Sequence, residues 1–474
     1  MSDLSIGAAA QDAPGRDALV FRGATLTYAE LAARVLPFCA SLDELRLGPS
    51  TRVALWASNR LETVLAILAF LERGVPFVPL HPRLTSAEAE RLARAADPTR
   101  IFMEDDLDAM GAPRHGRAFF PHAVAPGHLL GILFTSGTTG TPKGAMLPRS
   151  AFLASARASA ENLGWQDDDR WLACMPLCHV GGLSILTRCL IARRAVILHA
   201  RFDADAVLRS IVEDRATLLS VVPTQLRRLL AADANNGLSR LRAVLVGGAA
   251  VPRALLDECT TRGVRALSTY GLTEACSQVT AQRLHDPRRS DGAGPPLAGV
   301  ELSILGDQGQ PLLRGQIGRI HVDGPTKMTG YWGLPPLEAA FDTGDLGSLD
   351  PAGHLHVHAR RTDLIVSGGE NVYPAEIEEV LESHPGVRRA LVFGVPDETW
   401  GEIVAAAIED DATDRDERAL EAALAAKLAP WKRPRRVCFV DALPVAGAVD
   451  GGLGKLDRAR GRALFTPQAR PWAR

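Results

Sequence analysis

Leu130-Gly131-Ile132-Leu133-Phe134-Thr135-Ser136-Gly137-Thr138-Thr139-Gly140-Thr141-Pro142-Lys143-Gly144 sets an apolar strand before a loop dense in glycine and hydroxyl residues that ends in one lysine. Glycines let backbone N–H groups come close to a polyphosphate, hydroxyls add donors, and an ammonium neutralises charge. A plain surface loop would not need this density of small donors behind a buried strand. A Walker loop requires Gly-Lys followed by Ser or Thr, whereas Lys143 stands between Pro142 and Gly144. The stretch therefore reads as a nucleotide cradle.

Outward from it the texture is β-α-β. Val53–Trp56 and Val75–Leu80 are short apolar runs around a helical pattern, Thr63 to Arg73. The alternation recurs at Val196–Leu198, Leu218–Val222 and Ala243–Val246, each followed by turn signals and an amphipathic stretch. A mainly parallel sheet covered by helices is the simplest arrangement. Beyond Gly294, short strands and Gly-rich turns (Gly318–Val322, Gly353–Val357) predict a β-rich subdomain. An α+β block follows from Asp363, with a helix from Pro374 to about Ser383, a strand at Ala390–Phe393 and a helix within Asp416–Leu428. The expected fold class is α/β: a large N-terminal domain of mainly parallel sheets with helices plus the β-rich subdomain, and a small α+β C-terminal domain.

Bulk properties narrow the function. A chain of 474 residues exceeds one ordinary core. Hydrophobic residues at 46% and charged residues at 23% are ordinary globular values, and no apolar run reaches bilayer length. The N-terminus lacks the basic start and apolar stretch of a signal peptide, so the expected address is cytoplasmic. The formal net charge of −2 gives no electrostatic reason to expect nucleic acid. Cys39, Cys174, Cys178, Cys189, Cys259, Cys276 and Cys438 lack paired metal-ligand spacing and read as reduced core residues, Cys174 and Cys178 included. Basic residues are nearly all arginine; lysine stands only at Lys143, Lys327, Lys427, Lys432 and Lys455.

Thr135 to Gly144 resembles the signature loop of the adenylate-forming superfamily of acyl-CoA synthetases, peptide-synthetase adenylation domains and luciferases, and further motifs of that superfamily follow in order. Gly247-Gly248-Ala249 resembles its adenine-edge segment, Tyr270-Gly271-Leu272-Thr273-Glu274 the next motif, Thr343-Gly344-Asp345 the ribose motif and Arg361-Thr362-Asp363 the hinge. The match runs from about Ala18 to Arg460.

The resemblance implies a division into a large ATP- and acyl-binding domain, residues 1–362, and a mobile lid, residues 363–474, turning about Asp363. It implies ATP and Mg²⁺ at the first half-reaction and coenzyme A at the second. Thr135, Ser136, Gly137, Thr138, Thr139, Gly140 and Lys143 would hold phosphates, and Gly247, Gly248, Ala249 and Tyr270 adenine. Thr273 would contact the α-phosphate, Glu274 would hold the metal, Asp345 the ribose, and Arg361 the ribose or phosphate. Ser367, Gly368 and Gly369 resemble the strand over the pantetheine channel, where paired glycines let backbone pass close to a thin thiol arm. Lys455 matches the lysine of the adenylation transition state, although Val445 to Leu453 is several residues longer than the usual approach and lacks its arginine.

Three segments point to the acid. Met175 to Leu186, Tyr270 to Gln278 and Ile365 to Val380 resemble the corresponding runs of o-succinylbenzoate:CoA ligases of menaquinone biosynthesis, the third being shared with many acyl-CoA synthetases. A flat apolar slot with polar groups for a second carboxylate is implied, with His179, Thr224, Ser277 and Gln278 as contributors and His179 gating the reacting carboxylate. Thr224 and Gln225 equally suit capping of the next helix. Rival readings are an aryl- or medium-chain-acyl-CoA ligase, a stand-alone adenylation domain loading a carrier protein, and a non-catalytic adenylate-binding homologue. Oligomeric state is not legible.

Overall fold

The computed structural model describes residues 4–82, 84, 86–112, 124–135, 143–286, 292–360, 363–367, 370–397, 400–410, 416–428, 430–446 and 455–472. They form two compact units. Met1–Gly248, Asp257–Leu302 and Val322–Phe341 make the first, and Ala249–Leu256, Ser303–His321 and Asp342–Arg474 the second. The architecture is α/β with a large N-terminal part and a smaller C-terminal one.

In the first unit, one eight-stranded sheet has the order Ser277–Ala281, Ala266–Leu272, Ala243–Val246, Leu218–Val221, Arg170–Ala173, Ala195–Leu198, Asp17–Phe21, Ala24–Thr27. Its six inner strands run parallel and each edge strand is antiparallel to its neighbour. A second sheet runs Gly330–Tyr331, Lys143–Pro148, Leu129–Thr135, Phe77–Leu80, Val53–Trp56, Arg100–Phe102, parallel among its last four strands and antiparallel at the Lys143–Pro148 end. Parallel strands need helical crossovers and so bury both faces, which explains their continuous apolar runs. The antiparallel hairpins need no crossover, and two of them, Leu129–Thr135 with Lys143–Pro148 and Ala266–Leu272 with Ser277–Ala281, carry motif residues.

The helix Leu61–Arg73 illustrates the packing. Thr63 through Arg73 are all buried, and Phe70 packs against Phe77 and Phe102 with ring centroids 5.8 and 6.0 Å apart. Such aromatic pairs each add about 0.5–1.5 kcal/mol beyond area burial. The two charges at its end are paired: Glu72 accepts from Ser5 Oγ at 3.1 Å, and Arg73 forks onto Asp43 at 2.9 and 2.8 Å. Gly74 ends the helix with φ +64°.

Glu301–Leu305, Gly318–Asp323, Phe341–Leu349 and Leu355–Arg360 form a four-stranded sheet, the expected β-rich segment, most of whose residues belong to the second unit. The C-terminal sheet runs Glu370–Val372, Ile365–Ser367, Gly401–Asp410, Arg436–Val440, Arg470–Pro471, with Val387–Asp397 paired along Gly401–Asp410. The strand at Val387–Asp397 is far longer than Ala390–Phe393. Its flanks carry Arg388, Arg389 and Pro396, which hide the pattern, and the ladder to Gly401–Asp410 overrides local propensity. Helices Pro374–Glu382 and Glu417–Lys427 fall within a residue or two of expectation; Pro374 opens the first, where its missing N–H costs nothing.

Candidate active site

The Leu129–Thr135 and Lys143–Pro148 strands pair with Thr135 opposite Lys143, so the base of the phosphate-loop hairpin is fixed. Thr135 Oγ1 donates to the Lys143 carbonyl at 3.4 Å. Ser136, Gly137, Thr138, Thr139 and Gly140 lie outside the described residues. The Lys143 ammonium stands 5.3 Å from the centre of the Tyr331 ring. Tyr331 comes from the short strand Gly330–Tyr331 that pairs with Lys143–Pro148, Tyr331 facing Ala145.

The same tyrosine joins the second motif. Tyr331 Oη donates to Glu274 Oε1 at 2.8 Å, and Met328 N donates to the Glu274 carbonyl at 2.8 Å. Lys143, Tyr331 and Glu274, far apart in the chain, thus form one row of cation, phenol and carboxylate. Nothing in the sequence marked Tyr331; its signal is a pair of residues after Thr329 too short to read as a strand.

The backbone around Glu274 is sharply bent. Ala266–Leu272 returns antiparallel as Ser277–Ala281, with Thr273–Ala275 as a single 3-10 turn between them. Cys276 and Ser277 close the turn at φ +51° and +90°, and the latter is costly for a residue with a Cβ. Gly271 is required by space: a Cβ there would stand 1.8 Å from the Ser277 carbonyl oxygen. Ser155 Oγ donates to the Cys276 carbonyl at 2.8 Å, and Arg188 Nη2 donates to Ser155 Oγ at 3.1 Å. Arg188 is buried, which lowers its pKa to about 10. It too was not marked by the sequence, where it stands as one arginine in an apolar helix.

The His179 segment is held from a neighbouring strand end. Asn59 Nδ2 donates to the carbonyls of Met175 and His199 at 3.0 and 3.1 Å, and its Oδ1 accepts from Leu177 N at 2.9 Å. His179 precedes the helix Val180–Ala192, its ring 5.5 Å from that of His81. Desolvation by the surrounding wall, together with His81, lowers its pKa to about 4, so it is neutral at ordinary pH. Gly182 permits the turn, since a Cβ would meet the Pro176 carbonyl oxygen at 2.3 Å. Ser184 Oγ donates to the Gly181 carbonyl at 3.0 Å and reaches Ser277 Oγ at 3.4 Å, bringing the His179 segment to the bent turn. Gln278 is buried, pairing with Gly271 in the ladder.

Thr224 lies in the first turn of the helix Pro223–Ala232, where Gln225 Oε1 accepts from Val222 N at 3.1 Å; the capping role holds for Gln225. Gly247 and Gly248 end the strand Ala243–Val246, Gly248 at φ +78°, and Ala249 is exposed. At Gly247 a Cβ would meet Thr269 Oγ1 at 2.4 Å. Tyr270 is partly buried, in register with Thr280.

In the second unit, Asp345 is buried within the strand Phe341–Leu349, in register with Arg360, rather than in a turn: Asp345 N donates to Thr343 Oγ1 at 3.1 Å, and Gly344 N to Asp342 Oδ1 at 2.9 Å. Arg361 lies outside the described residues, as do Gly368 and Gly369; Ser367 is buried and faces Glu370 in its ladder. Asp363 is bridged by Arg458 Nε at 3.4 Å, and Arg458 forks onto Glu378 at 2.7 and 2.5 Å. Arg458 opens the helix Arg458–Phe465 three residues after Lys455. Residues 447–454 lie outside the description, but Lys455–Leu456 pairs with Val445–Ala446, Lys455 facing Ala446. That pairing anchors the Lys455 backbone.

Among the described residues no helix is long and apolar enough to cross a membrane.

Residues 7–332 match the AMP-binding enzyme family and residues 376–447 its C-terminal domain. The 2-succinylbenzoate–CoA ligase of Bacillus licheniformis is 38% identical over 458 residues, covering 91% of this chain and 94% of its own. Among solved structures, o-succinylbenzoate CoA synthetase from Bacillus subtilis with its acyl-adenylate intermediate OSB-AMP superposes with a TM-score of 0.89 at 32% identity, over 97% of this chain and 98% of that one. The same enzyme with ATP and magnesium ion gives a TM-score of 0.86 at 32% identity, over 96% and 98%. Ordered motifs, an α/β fold with a smaller C-terminal part and near-complete coverage agree, and the chain belongs to the AMP-binding enzyme family.

Proposed function

We propose that this chain is an ATP-dependent acid:CoA ligase that converts o-succinylbenzoate to its acyl-AMP and then to o-succinylbenzoyl-CoA, a step of menaquinone biosynthesis. The row Lys143, Tyr331, Glu274 carries the chemistry. Attack of a carboxylate oxygen on the α-phosphorus of ATP expels pyrophosphate and brings two anions together, so the protein's work is charge neutralisation and positioning. Lys143 with the loop from Thr135 holds the phosphates. Tyr331 fixes the Glu274 carboxylate, a hard oxygen donor of the kind Mg²⁺ prefers. When bound, that ion neutralises phosphate charge, and Thr273, on the same turn, donates toward the α-phosphate.

Gly247, Gly248, Ala249 and Tyr270 receive adenine, and Asp345 with Arg361 receives the ribose. The neutral His179 borders the acid, with Ser277, Gln278 and Thr224 as further contributors to its pocket. Lys455 stabilises charge in adenylation. The smaller domain, residues 363–474, then turns about Asp363, and Ser367, Gly368 and Gly369 admit the pantetheine arm, whose thiol attacks the acyl carbon and expels AMP. Support for the acid comes from relatives that carry this name across nearly the whole chain. A cytoplasmic address suits these substrates, and the balanced charge gives no role to nucleic acid.

Pyrophosphate release and thioester formation with a panel of acids test the proposal. o-Succinylbenzoate should give the highest kcat/KM with free coenzyme A as acceptor. Benzoates or fatty acids turning over faster, or transfer only to a carrier phosphopantetheine, would overturn it.

A further inference from the structure

Cys178 and His179 are consecutive, and Asn59 pins the turn that presents them through Leu177 N and the Met175 carbonyl. His81 follows the strand Phe77–Leu80 in the same unit and faces them, its ring tilted 43° to that of His179. One ligand atom from each of His81, Cys178 and His179 lies within 4.8 Å of the others. A tetrahedral site with N–metal bonds of about 2.0–2.1 Å and an S–metal bond of about 2.3 Å puts ligand atoms roughly 3.3–3.7 Å apart. Small rotations of the two imidazoles, His81 half-buried and His179 exposed, cover the difference, while Cys178 is buried and serves as the fixed point.

We propose that His81, Cys178 and His179 form a three-ligand site for a soft divalent transition-metal ion of the zinc class, with a fourth position left to water or to a substrate oxygen. The donor set is selective. Thiolate and imidazole favour zinc over magnesium, which seeks an all-oxygen shell, so this site and the Glu274 site take different ions. On binding, the Cys178 thiol releases its proton to solvent and the thiolate sulfur gives an electron pair to the metal; no redox partner is needed. Either imidazole alone would be an ordinary wall residue, and a lone buried cysteine an inert one. Their convergence distinguishes this site from Cys174, also buried but with its sulfur against the Ser220 carbonyl at 3.9 Å.

A functional consequence rests on the placement of His179 beside the acid. Zinc held there pins the ring and blocks the acid's approach, so the ion acts as an inhibitor of adenylation.

The test uses the full chain, stripped with chelator and kept reduced, titrated with Co²⁺ without oxygen. One equivalent should bring a thiolate-to-cobalt charge-transfer band and the strong visible absorption of tetrahedral cobalt, both removed by Zn²⁺. C178S and H81Q should lose the charge-transfer band or the tetrahedral pattern, and weaken zinc binding by more than the ~10–100-fold that loss of an outer-shell partner alone costs. C174S should behave as the parent. Circular dichroism and ATP binding establish that each variant is folded. A charge-transfer band that persists in folded C178S, or no stoichiometric cobalt binding, overturns the site. Pyrophosphate release should fall with added zinc in the parent and not in C178S; zinc bound with undiminished turnover overturns the inhibitory role. The cobalt spectrum does not depend on which acid is the substrate, so a failure of the site and a failure of the functional reading give different results.

Discussion

Tyr331→Phe removes one oxygen from the row that joins the phosphate loop to the Thr-Glu turn. The parent hydroxyl donates to Glu274 Oε1 at 2.8 Å, and the ring lies 5.3 Å from the Lys143 ammonium and edge-on to Phe341 at 6.3 Å. Phenylalanine keeps both ring contacts and loses only the donor. A hydrogen bond to a charged group contributes about 1.5–3 kcal/mol. Tyr331 and Glu274 are only half-buried, so water replaces part of the loss. The lower end applies, and at ~1.4 kcal/mol per tenfold adenylation should slow by roughly 10-fold, with a higher Mg²⁺ requirement because the carboxylate is no longer held. Stability should barely change. The assay is pyrophosphate release at saturating acid and ATP across a Mg²⁺ series, with a thermal melt alongside. Tyr331→Leu, which also removes the ring beneath Lys143, should lose about a further 0.5–1 kcal/mol. If Tyr331→Phe stays within twofold of the parent with an unchanged Mg²⁺ dependence, the hydroxyl does not position Glu274 and the row is only packing.

Lys455→Ala should slow acyl-AMP formation by roughly two or more orders of magnitude, the scale of one lost transition-state donor, while thioester formation from supplied acyl-AMP survives; single-turnover assays of each half separate the two. Ser277→Gly relieves a backbone at φ +90° and should stabilise the fold by about 1 kcal/mol while raising KM for the acid; a melt that falls would show that the side chain outweighs the strain. Gly182→Ala must push backbone apart at the Pro176 carbonyl and should cost about 1–3 kcal/mol together with activity, read by urea unfolding and turnover. His179 and His199 both sit below the ordinary imidazole value, chiefly through desolvation. The folded chain therefore binds fewer protons than the unfolded one below about pH 6.5, and stability falls as pH drops from there, for His179 until about pH 4. His199→Gln should flatten that slope in urea midpoints taken at several pH values, and an unchanged slope would remove His199 from the explanation.

The glycine, hydroxyl and lysine chemistry of the phosphate loop, the runs that became parallel strands and the order of the motifs were all legible in the sequence. They are local: an apolar run buried on both faces, a turn that needs glycine and a helix opened by Pro374 are written where they act. Residues that act across the chain were not. Tyr331 gains its meaning from a two-residue strand laid beside Lys143–Pro148, and Asn59 from the turn it holds more than a hundred positions away. Arg188 supports the strained Cys276–Ser277 turn through Ser155, and Arg458 ties Asp363 to the helix after Lys455. The backbone pairing of Lys455–Leu456 with Val445–Ala446 was likewise not legible, because it joins segments on either side of a long glycine-rich stretch. A sequence determines which chemistry each segment can supply, because composition and local backbone preference act within a few residues. Only the folded chain decides which segments meet, because a hydrogen bond or a metal-ligand cluster needs atoms within a few ångströms and separation along the chain carries no such information.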